Sequence, residues 1–155
     1  MTNKTVQLAL AIIFCIVSIF TVSCTAPYKV PVPVGFARYT ALKEFKTISP
    51  EGIIFQVRAV KNKPYANLSF WHEALKKRMT DAGYRLINDT LVTENQEKAV
   101  CEFAAPIGQK DYLYHIEIIV KEKEIIIIEA TGEVVLYEQQ TKAINESIKA
   151  IQLGE

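Results

Sequence analysis

Residues 112–130 read YLYHIEIIVKEKEIIIIEA, and this stretch decides the fold of the chain. Its two halves, Tyr112 to Lys121 and Glu124 to Ala130, are rich in isoleucine and tyrosine, which favour strands. The charged residues KEKE at positions 121–124 suit a tight turn between them and discourage pairing with other chains. The stretch therefore predicts two adjacent antiparallel strands.

Two further strands precede this hairpin, at about Tyr84 to Thr93 and Ala99 to Ala105. The connections are polar or contain Pro106 and Gly108, as expected for hairpin loops, so the four strands form an up-and-down meander. After the meander, apolar residues at steps of three and four predict a C-terminal helix with one apolar face: Val134, Tyr137, Thr141, Ile144, Ile148 and Ile151.

The clearest helix signal lies before the meander, at about Leu68 to Ala82. Asn67 or Ser69 can cap its start, and Gly83 stands where a left-handed residue commonly ends a helix. Apolar residues recur on one face of this segment at helical spacing: Leu68, Trp71, Leu75 and Met79, with Phe70 and Ala74 beside them.

A strand pair precedes this helix, because Ile53 to Val60 alternates as a strand and Phe36 to Ile48 can supply an edge strand. The order strand pair, helix, four-stranded meander, helix predicts one α+β domain over 36–155, an antiparallel sheet packed with two helices. This order is similar to that of the PsbP-like fold over roughly Phe36 to Leu153. The resemblance concerns element order and implies no functional residue; members of that fold include extracytoplasmic proteins.

The first 24 residues predict where the protein is located. Lys4 precedes an almost wholly apolar run from Val6 to Val22, which is the order of a secretory signal peptide. The run ends in Thr21-Val22-Ser23-Cys24, which resembles the lipobox of bacterial lipoproteins, with Thr21 where Leu, Val or Ile is usual. The resemblance implies that residues 1–23 are a cleaved signal peptide. It also implies that Cys24 carries diacylglycerol and palmitate, which would anchor the protein in a membrane.

An uncleaved membrane helix is the alternative, since residues 6–22 reach the lower limit of length for crossing a bilayer. With Lys4 inside, both interpretations place the bulk of the chain outside the cytoplasm, in the cell envelope. Thr25, rather than aspartate, follows Cys24, which favours the outer membrane. Residues 24–35 then comprise the lipidated cysteine and a stiff, proline-rich linker.

Composition and charge exclude several classes of protein. The 155 residues are 50% hydrophobic with a formal net charge of +1, which is unlike a disordered tail or a dedicated nucleic-acid binder. A basic cluster could meet anionic lipid head groups or an acidic protein surface, unless acidic residues elsewhere in the fold neutralise it. Its members are possible binding residues: Lys61, Lys63, Lys76, Lys77 and Arg78.

No catalytic, metal-binding or cofactor-binding motif is recognisable in the chain. His115 and Glu117 share a strand face, but two ligands are too few for a metal site, and a polar outer face is the simpler interpretation. His72 is interpreted as a surface residue. Cys101, beside Phe103 on its strand face, is interpreted as a small buried hydrophobe, and no second free cysteine remains for a disulfide in the mature chain.

These observations favour a lipid-anchored envelope protein whose small domain binds a protein partner without catalysis. One alternative is a small-ligand carrier in which Trp71, Tyr112 and Tyr114 line a cavity between sheet and helix. Another is an envelope enzyme that uses His115 and carboxylates. That enzyme requires His115, Glu117 and a further polar residue to converge in a pocket.

Overall fold

The computed structural model describes residues 28–41, 44–92 and 97–154. The predicted signal peptide and Cys24 lie outside these residues. None of the helices in the described part of the chain combines the length and apolar character needed to cross a membrane. The elements are β1 (Tyr28–Lys29), β2 (Ala37–Arg38), β3 (Phe45–Ile48), β4 (Ile54–Lys61), α1 (Leu68–Asp81), β5 (Arg85–Val92), β6 (Lys98–Ile107), β7 (Lys110–Val120), β8 (Glu124–Glu133), α2 (Val134–Lys149) and β9 (Gln152–Leu153).

Seven of these strands form one antiparallel sheet in the order β2-β3-β4-β8-β7-β6-β5. The predicted α+β architecture, with an N-terminal strand pair, a four-stranded meander and two helices, is therefore confirmed. The predicted hairpin forms the centre of the sheet: β7 and β8 pair from Tyr112 opposite Glu133 to Val120 opposite Ile125. Isoleucine on both faces of these strands suits this central position, because a helix packs on each face of the sheet.

The two helices lie on opposite faces of the sheet. α1 packs over β5, β6 and β7, and α2 packs over β7 and β8. Each helix covers its own apolar cluster. The cluster under α2 includes Phe55, Val57, Ile126, Ile128, Tyr137 and Ile144. The cluster under α1 includes Cys101, Phe103, Ile116, Ile118, Trp71, Leu75 and Met79.

The ends of α1 follow the predicted capping residues. The Asn67 side chain accepts a hydrogen bond from the Phe70 backbone N–H at 3.0 Å. At the other end, the backbone N–H of Tyr84 donates to the carbonyl of Met79 at 3.0 Å. Gly83 has a φ of +90°, which a residue without Cβ adopts at no steric cost. Local chemistry thus determines where this helix stops.

The segment before the main sheet packs on the domain. β1 pairs with β9 in a separate two-stranded sheet, with Tyr28 opposite Leu153. The Tyr28 hydroxyl donates to the carbonyl of Val57 at 2.8 Å, and the Ser147 hydroxyl donates to the carbonyl of Pro31 at 3.2 Å. Residues 28–31 therefore contact the core, although their proline-rich composition places them in the predicted linker.

Candidate functional site

A cavity of about 520 Å³ lies between α1 and the sheet. It forms because α1 packs over β5 to β7, so that the same face of β8 and β4 is only partly covered. Its volume falls within the ordinary range for small-molecule pockets, roughly 300–1,000 Å³. The wall on the helix side includes Trp71, Leu75 and Met79. The floor is apolar and consists of four side chains of the central hairpin: Ile116, Ile118, Ile125 and Ile127.

An ion pair between the partly exposed Arg58 and the buried Glu129 lines the cavity. Arg58 Nε lies 3.0 Å from Glu129 Oε2, and Arg58 Nη2 lies 3.2 Å from Glu129 Oε1, so the pair is bidentate. The Gln56 amide also donates to Glu129, which is only 6% exposed. The hydrogen bonds to Glu129 raise the pKa of Arg58. The carboxylate is thus satisfied by three donor groups and its charge is balanced by Arg58.

Three further cations line the cavity, namely Lys61, Lys63 and Arg78. None of them forms an ion pair with another residue in the described part of the chain. Since the charge of Glu129 is already balanced, the described residues that line the cavity carry a net positive charge. A cleft lined by one sign of charge over apolar walls concentrates ligands of the opposite sign, in this case anions.

The basic cluster expected from the sequence is divided by the structure. The three members just described share the cavity, and the other two are neutralised by neighbours. Lys76 Nζ lies 2.6 Å from Glu73 Oε1 and 3.0 Å from Asp89 Oδ2. Lys77 Nζ lies 2.8 Å from Asp81 Oδ2, on the exposed side of α1.

Asn62 holds the tryptophan of the cavity in place. The indole N–H of Trp71 donates to Asn62 Oδ1 at 2.8 Å. Asn62 is 4% exposed, and its side chain also accepts from the backbone N–H of Ala66 at 3.2 Å. Its amide group donates to the carbonyls of Ala66 and Lys121, both at 3.1 Å. This one side chain therefore connects the loop before α1 with the turn between β7 and β8.

Two of the three aromatic residues expected to line such a cavity do so. Trp71 and Tyr114 are part of its wall, whereas Tyr112 is not. Tyr84, which the sequence did not single out, takes its place, and its ring meets that of Tyr114 edge to face with centroids 6.0 Å apart. Burial raises the pKa of Tyr114, so its hydroxyl stays protonated and polar within the wall.

The other candidate pair, His115 and Glu117, lies on the opposite face of the sheet. The expectation of a polar outer face was wrong, because these residues are only 8% and 6% exposed. His115 Nδ1 lies 3.2 Å from Glu102 Oε1, and Nε2 lies 3.3 Å from Glu117 Oε1. Lys98 Nζ donates to Glu117 at 2.6 Å. The polar groups converge as the enzyme hypothesis requires, but His115 lines neither the main cavity nor a smaller one of about 160 Å³ next to Glu117.

This buried network predicts a pH dependence of stability. Burial lowers the pKa of His115, but its hydrogen bonds with Glu117 and Glu102 outweigh burial and place the pKa above its usual 6.5. Burial raises the pKa of Glu117, but His115 and Lys98 outweigh burial and place the pKa below its usual 4.5. Stability from His115 is therefore lost as the pH rises through its folded pKa, and stability from Glu117 is lost as the pH falls through its own.

We expect the contribution of this network to be greatest between about pH 4.5 and pH 6.5, since both groups are then charged in the folded state. Urea unfolding of the wild type and of His115→Gln across this range and up to pH 8 tests the sign. The difference in free energy of unfolding should shrink above pH 6.5 as His115 loses its proton. A difference that is constant with pH would contradict this assignment.

His72 and Cys101 lie on the flank of α1 away from the cavity. The expectation that His72 is a surface residue was wrong, because it is only 3% exposed. It packs between α1 and the sheet and contacts Asp89. Cys101 is a free cysteine and is fully buried, as its position beside Phe103 indicated.

No protein-family model matches the chain, and no curated protein matches it in sequence. Solved structures match its fold. LpqN, which is involved in cell envelope biogenesis of Mycobacterium tuberculosis, has a TM-score of 0.67 at 8% identity, with 83% of each chain covered. The cyanobacterial PsbP (CyanoP) of Synechocystis has a TM-score of 0.58 at 10% identity, covering 82% of this chain and 86% of that one. The similarity to the PsbP-like fold is thereby confirmed at the level of architecture.

Proposed function

We propose that the protein is a lipid-anchored carrier of the bacterial cell envelope that binds a single-chain amphipathic anion, such as a fatty acid, between α1 and the sheet. The observation that carries this proposal is the combination, at one cavity, of an apolar floor with three cations that form no ion pair within the described residues. An aliphatic chain that packs on the four isoleucines would be removed from water. This burial stabilises the bound state by about 0.8 kcal/mol per CH₂ group. The anionic head group would meet Lys61, Lys63 and Arg78.

The charge of the cavity is the reason for choosing an anion. Glu129 would repel an anionic head group if it were unpaired, but Arg58 and Gln56 already neutralise and hydrogen-bond it. Lys61, Lys63 and Arg78 are therefore the cations of the cavity wall that no ion pair occupies in the described part of the chain. A neutral ligand of the same length would keep the apolar contacts and lose the attraction to these cations, so head-group charge distinguishes the proposal from simple hydrophobic binding.

Trp71 provides a direct measurement, because it is the chain's single tryptophan and lines the cavity. We expect a brominated fatty acid to quench the fluorescence of the full chain in a zwitterionic detergent. A brominated alcohol of equal chain length should bind more weakly. Ile127→Phe should reduce fatty-acid binding about fourfold, since the burial of the one methylene it displaces is worth about 0.8 kcal/mol. The larger side chain would occupy cavity space rather than overpack the core.

Two neighbouring residues of α1 provide matched variants for the head-group contact. Arg78→Gln should weaken fatty-acid binding about two- to fivefold, as expected for one partly solvated charge pair. Lys77→Gln removes the same kind of charge from the same helix, but Lys77 pairs with Asp81 and does not line the cavity. It should leave binding unchanged. Quenching that is equal in Ile127→Phe and the wild type would show that the probe binds the micelle, and would contradict the proposal.

The proposed anchor rests on residues 1–24 and is compatible with the role of LpqN in envelope biogenesis. Mass spectrometry of the protein from bacterial membranes should find a chain that begins at Cys24 and carries diacylglycerol. Cys24→Ser should abolish lipidation, whereas Cys101→Ser should not, because that thiol is buried in the folded domain. An intact segment from Met1 to Ser23, or an unmodified Cys24, would overturn the anchor and leave the cavity proposal standing. Binding of an envelope protein partner remains a prediction.

A further inference from the structure

Three side chains of different elements bring nitrogen, oxygen and sulfur atoms together beside α1. They are His72 on α1, Asp89 on β5 and Cys101 on β6, and their ligand atoms all lie within 4.8 Å of one another. None of the three lines the cavity of the proposed carrier. His72 is 3% exposed and Cys101 is fully buried, whereas 31% of the Asp89 side chain is exposed. Asp89 therefore connects this group of ligands with solvent.

A bulge in β5 brings Asp89 to this position. Leu86 pairs with Phe103 and Asn88 pairs with Glu102, so one extra residue, Ile87, is accommodated between them. Strict alternation from Leu86 would have turned Asp89 to the opposite face of the sheet. With the bulge, Asp89 lies opposite Cys101 and on the face that α1 covers. The irregularity thus places an oxygen ligand next to the sulfur and nitrogen ligands.

His72 provides an independent sign that the group is incomplete. Its Nε2 contacts Asp89 Oδ1, but the contact does not have the geometry of a hydrogen bond. In the described part of the chain, this nitrogen is a buried polar atom without a hydrogen-bond partner. Such atoms are rare in folded proteins because each loses its bonds to water on burial. The atom contacts the Asp89 carboxylate, and a ring nitrogen of His72 lies within 4.8 Å of the Cys101 sulfur.

The Asp89 carboxylate keeps one oxygen for a ligand. Lys76 lies 3.0 Å from Asp89 Oδ2, which leaves Oδ1 on the side of His72. A divalent metal ion would give His72 Nε2 a partner and would bind Cys101 as the thiolate.

We propose that His72, Asp89 and Cys101 bind a zinc-type divalent ion, with water as the fourth ligand. Imidazole nitrogen together with thiolate sulfur selects Zn²⁺ over Mg²⁺ or Ca²⁺, which prefer sites made of oxygen. Three protein ligands and an open position suit four-coordinate zinc. On binding, the Cys101 S–H bond breaks, its proton passes to solvent and the sulfur forms the bond to the metal.

Co²⁺ titration of the full chain in detergent tests this site, because a thiolate bound to Co²⁺ gives a charge-transfer absorption band. The background protein carries both Cys15→Ser and Cys24→Ser, so Cys101 is the one remaining thiol of its sequence. We expect one Co²⁺ per chain and displacement of Co²⁺ by Zn²⁺ with loss of the band. A background protein that shows no band at stoichiometric Co²⁺ would overturn the proposal.

Substitution of each proposed ligand distinguishes a specific metal-binding site from adventitious binding. Cys101→Ser should abolish the band, and His72→Gln and Asp89→Asn should each weaken Co²⁺ affinity at least about tenfold. His115→Gln, which changes the other buried histidine, should leave the affinity unchanged. Zn²⁺ should raise the melting temperature of the background protein but not that of the ligand variants, and circular dichroism shows whether each variant is folded. Equal affinity in His72→Gln and the background would contradict the site.

Discussion

Replacing Phe103 with alanine is expected to lower the free energy of unfolding by about 3–5 kcal/mol, because the residue is fully buried and its neighbours relax only partly into the space it leaves. Phe103 lies in the cluster that attaches α1 to the sheet. This loss is large compared with the total stability of a single domain, about 5–15 kcal/mol. Urea unfolding followed by far-ultraviolet circular dichroism measures it.

Phe70→Ala is the matched control for this substitution. Phe70 lies beside the same cluster, but it is 50% exposed. Its ring contacts that of Trp71 edge to face, with ring centroids 5.3 Å apart. Its removal should cost less than about 1.5 kcal/mol, the upper value for one aromatic pair. If the two variants lose equal stability, α1 is not held to the sheet through Phe103.

Replacing Asn62 with alanine is expected to cost about 3 kcal/mol, because it leaves several buried polar groups without partners, each at about 1–3 kcal/mol before water reaches it. The indole N–H of Trp71 and the backbone N–H of Ala66 both lose their acceptor. Since Trp71 lines the cavity, its emission should also shift to longer wavelength as water approaches the ring. Urea unfolding and the tryptophan emission spectrum measure the two effects separately.

Asn88→Ala provides the comparison for Asn62. Asn88 is exposed and its side chain donates one described hydrogen bond, at 3.3 Å to Glu102. A surface substitution of this kind usually changes stability by less than about 0.5 kcal/mol. An unchanged emission spectrum in Asn62→Ala would show that Trp71 does not depend on this asparagine for its position.

The architecture could be predicted from the sequence because the decisive interactions are local. The isoleucine-rich halves of residues 112–130 are separated by four charged residues, and they pair as β7 and β8. Asn67 and Gly83 mark the ends of α1 through hydrogen bonds that span few residues. Each of these signals depends on side chains within one turn or one hairpin, so no knowledge of the tertiary structure is needed to read it.

The candidate sites could be predicted only in part, since their residues meet through distant pairings. The sequence indicates Trp71 and Tyr114 as aromatic residues that can face a cavity, but Asn62, two residues before Pro64, reads as an ordinary turn residue. Asp89 reaches the face of Cys101 only because β5 is bulged, and strand alternation predicts the opposite. The alternation of polar and apolar side chains along a strand does not reveal where a β-bulge adds one residue.

The alternation pattern also fails to predict the burial of His115 and Glu117. Polar residues that alternate with Tyr114, Ile116 and Ile118 indicate one apolar face and one solvated face. In the folded protein both faces of the sheet are covered, because α2 packs over β7 and β8. The buried polar groups are accommodated by ion pairs with one another, which a single strand's sequence does not show.

The pairing of β1 with β9 has a consequence for how the domain would stand on a membrane. If Cys24 carries the lipid as proposed, the chain from Cys24 to Tyr28 can span at most about 14 Å. Leu153 lies opposite Tyr28, so the C-terminal strand would stand at nearly the same height above the bilayer. A protein fused directly after β9 would therefore emerge next to the lipid surface rather than on the far side of the domain, and an internal loop would be the better place for a reporter.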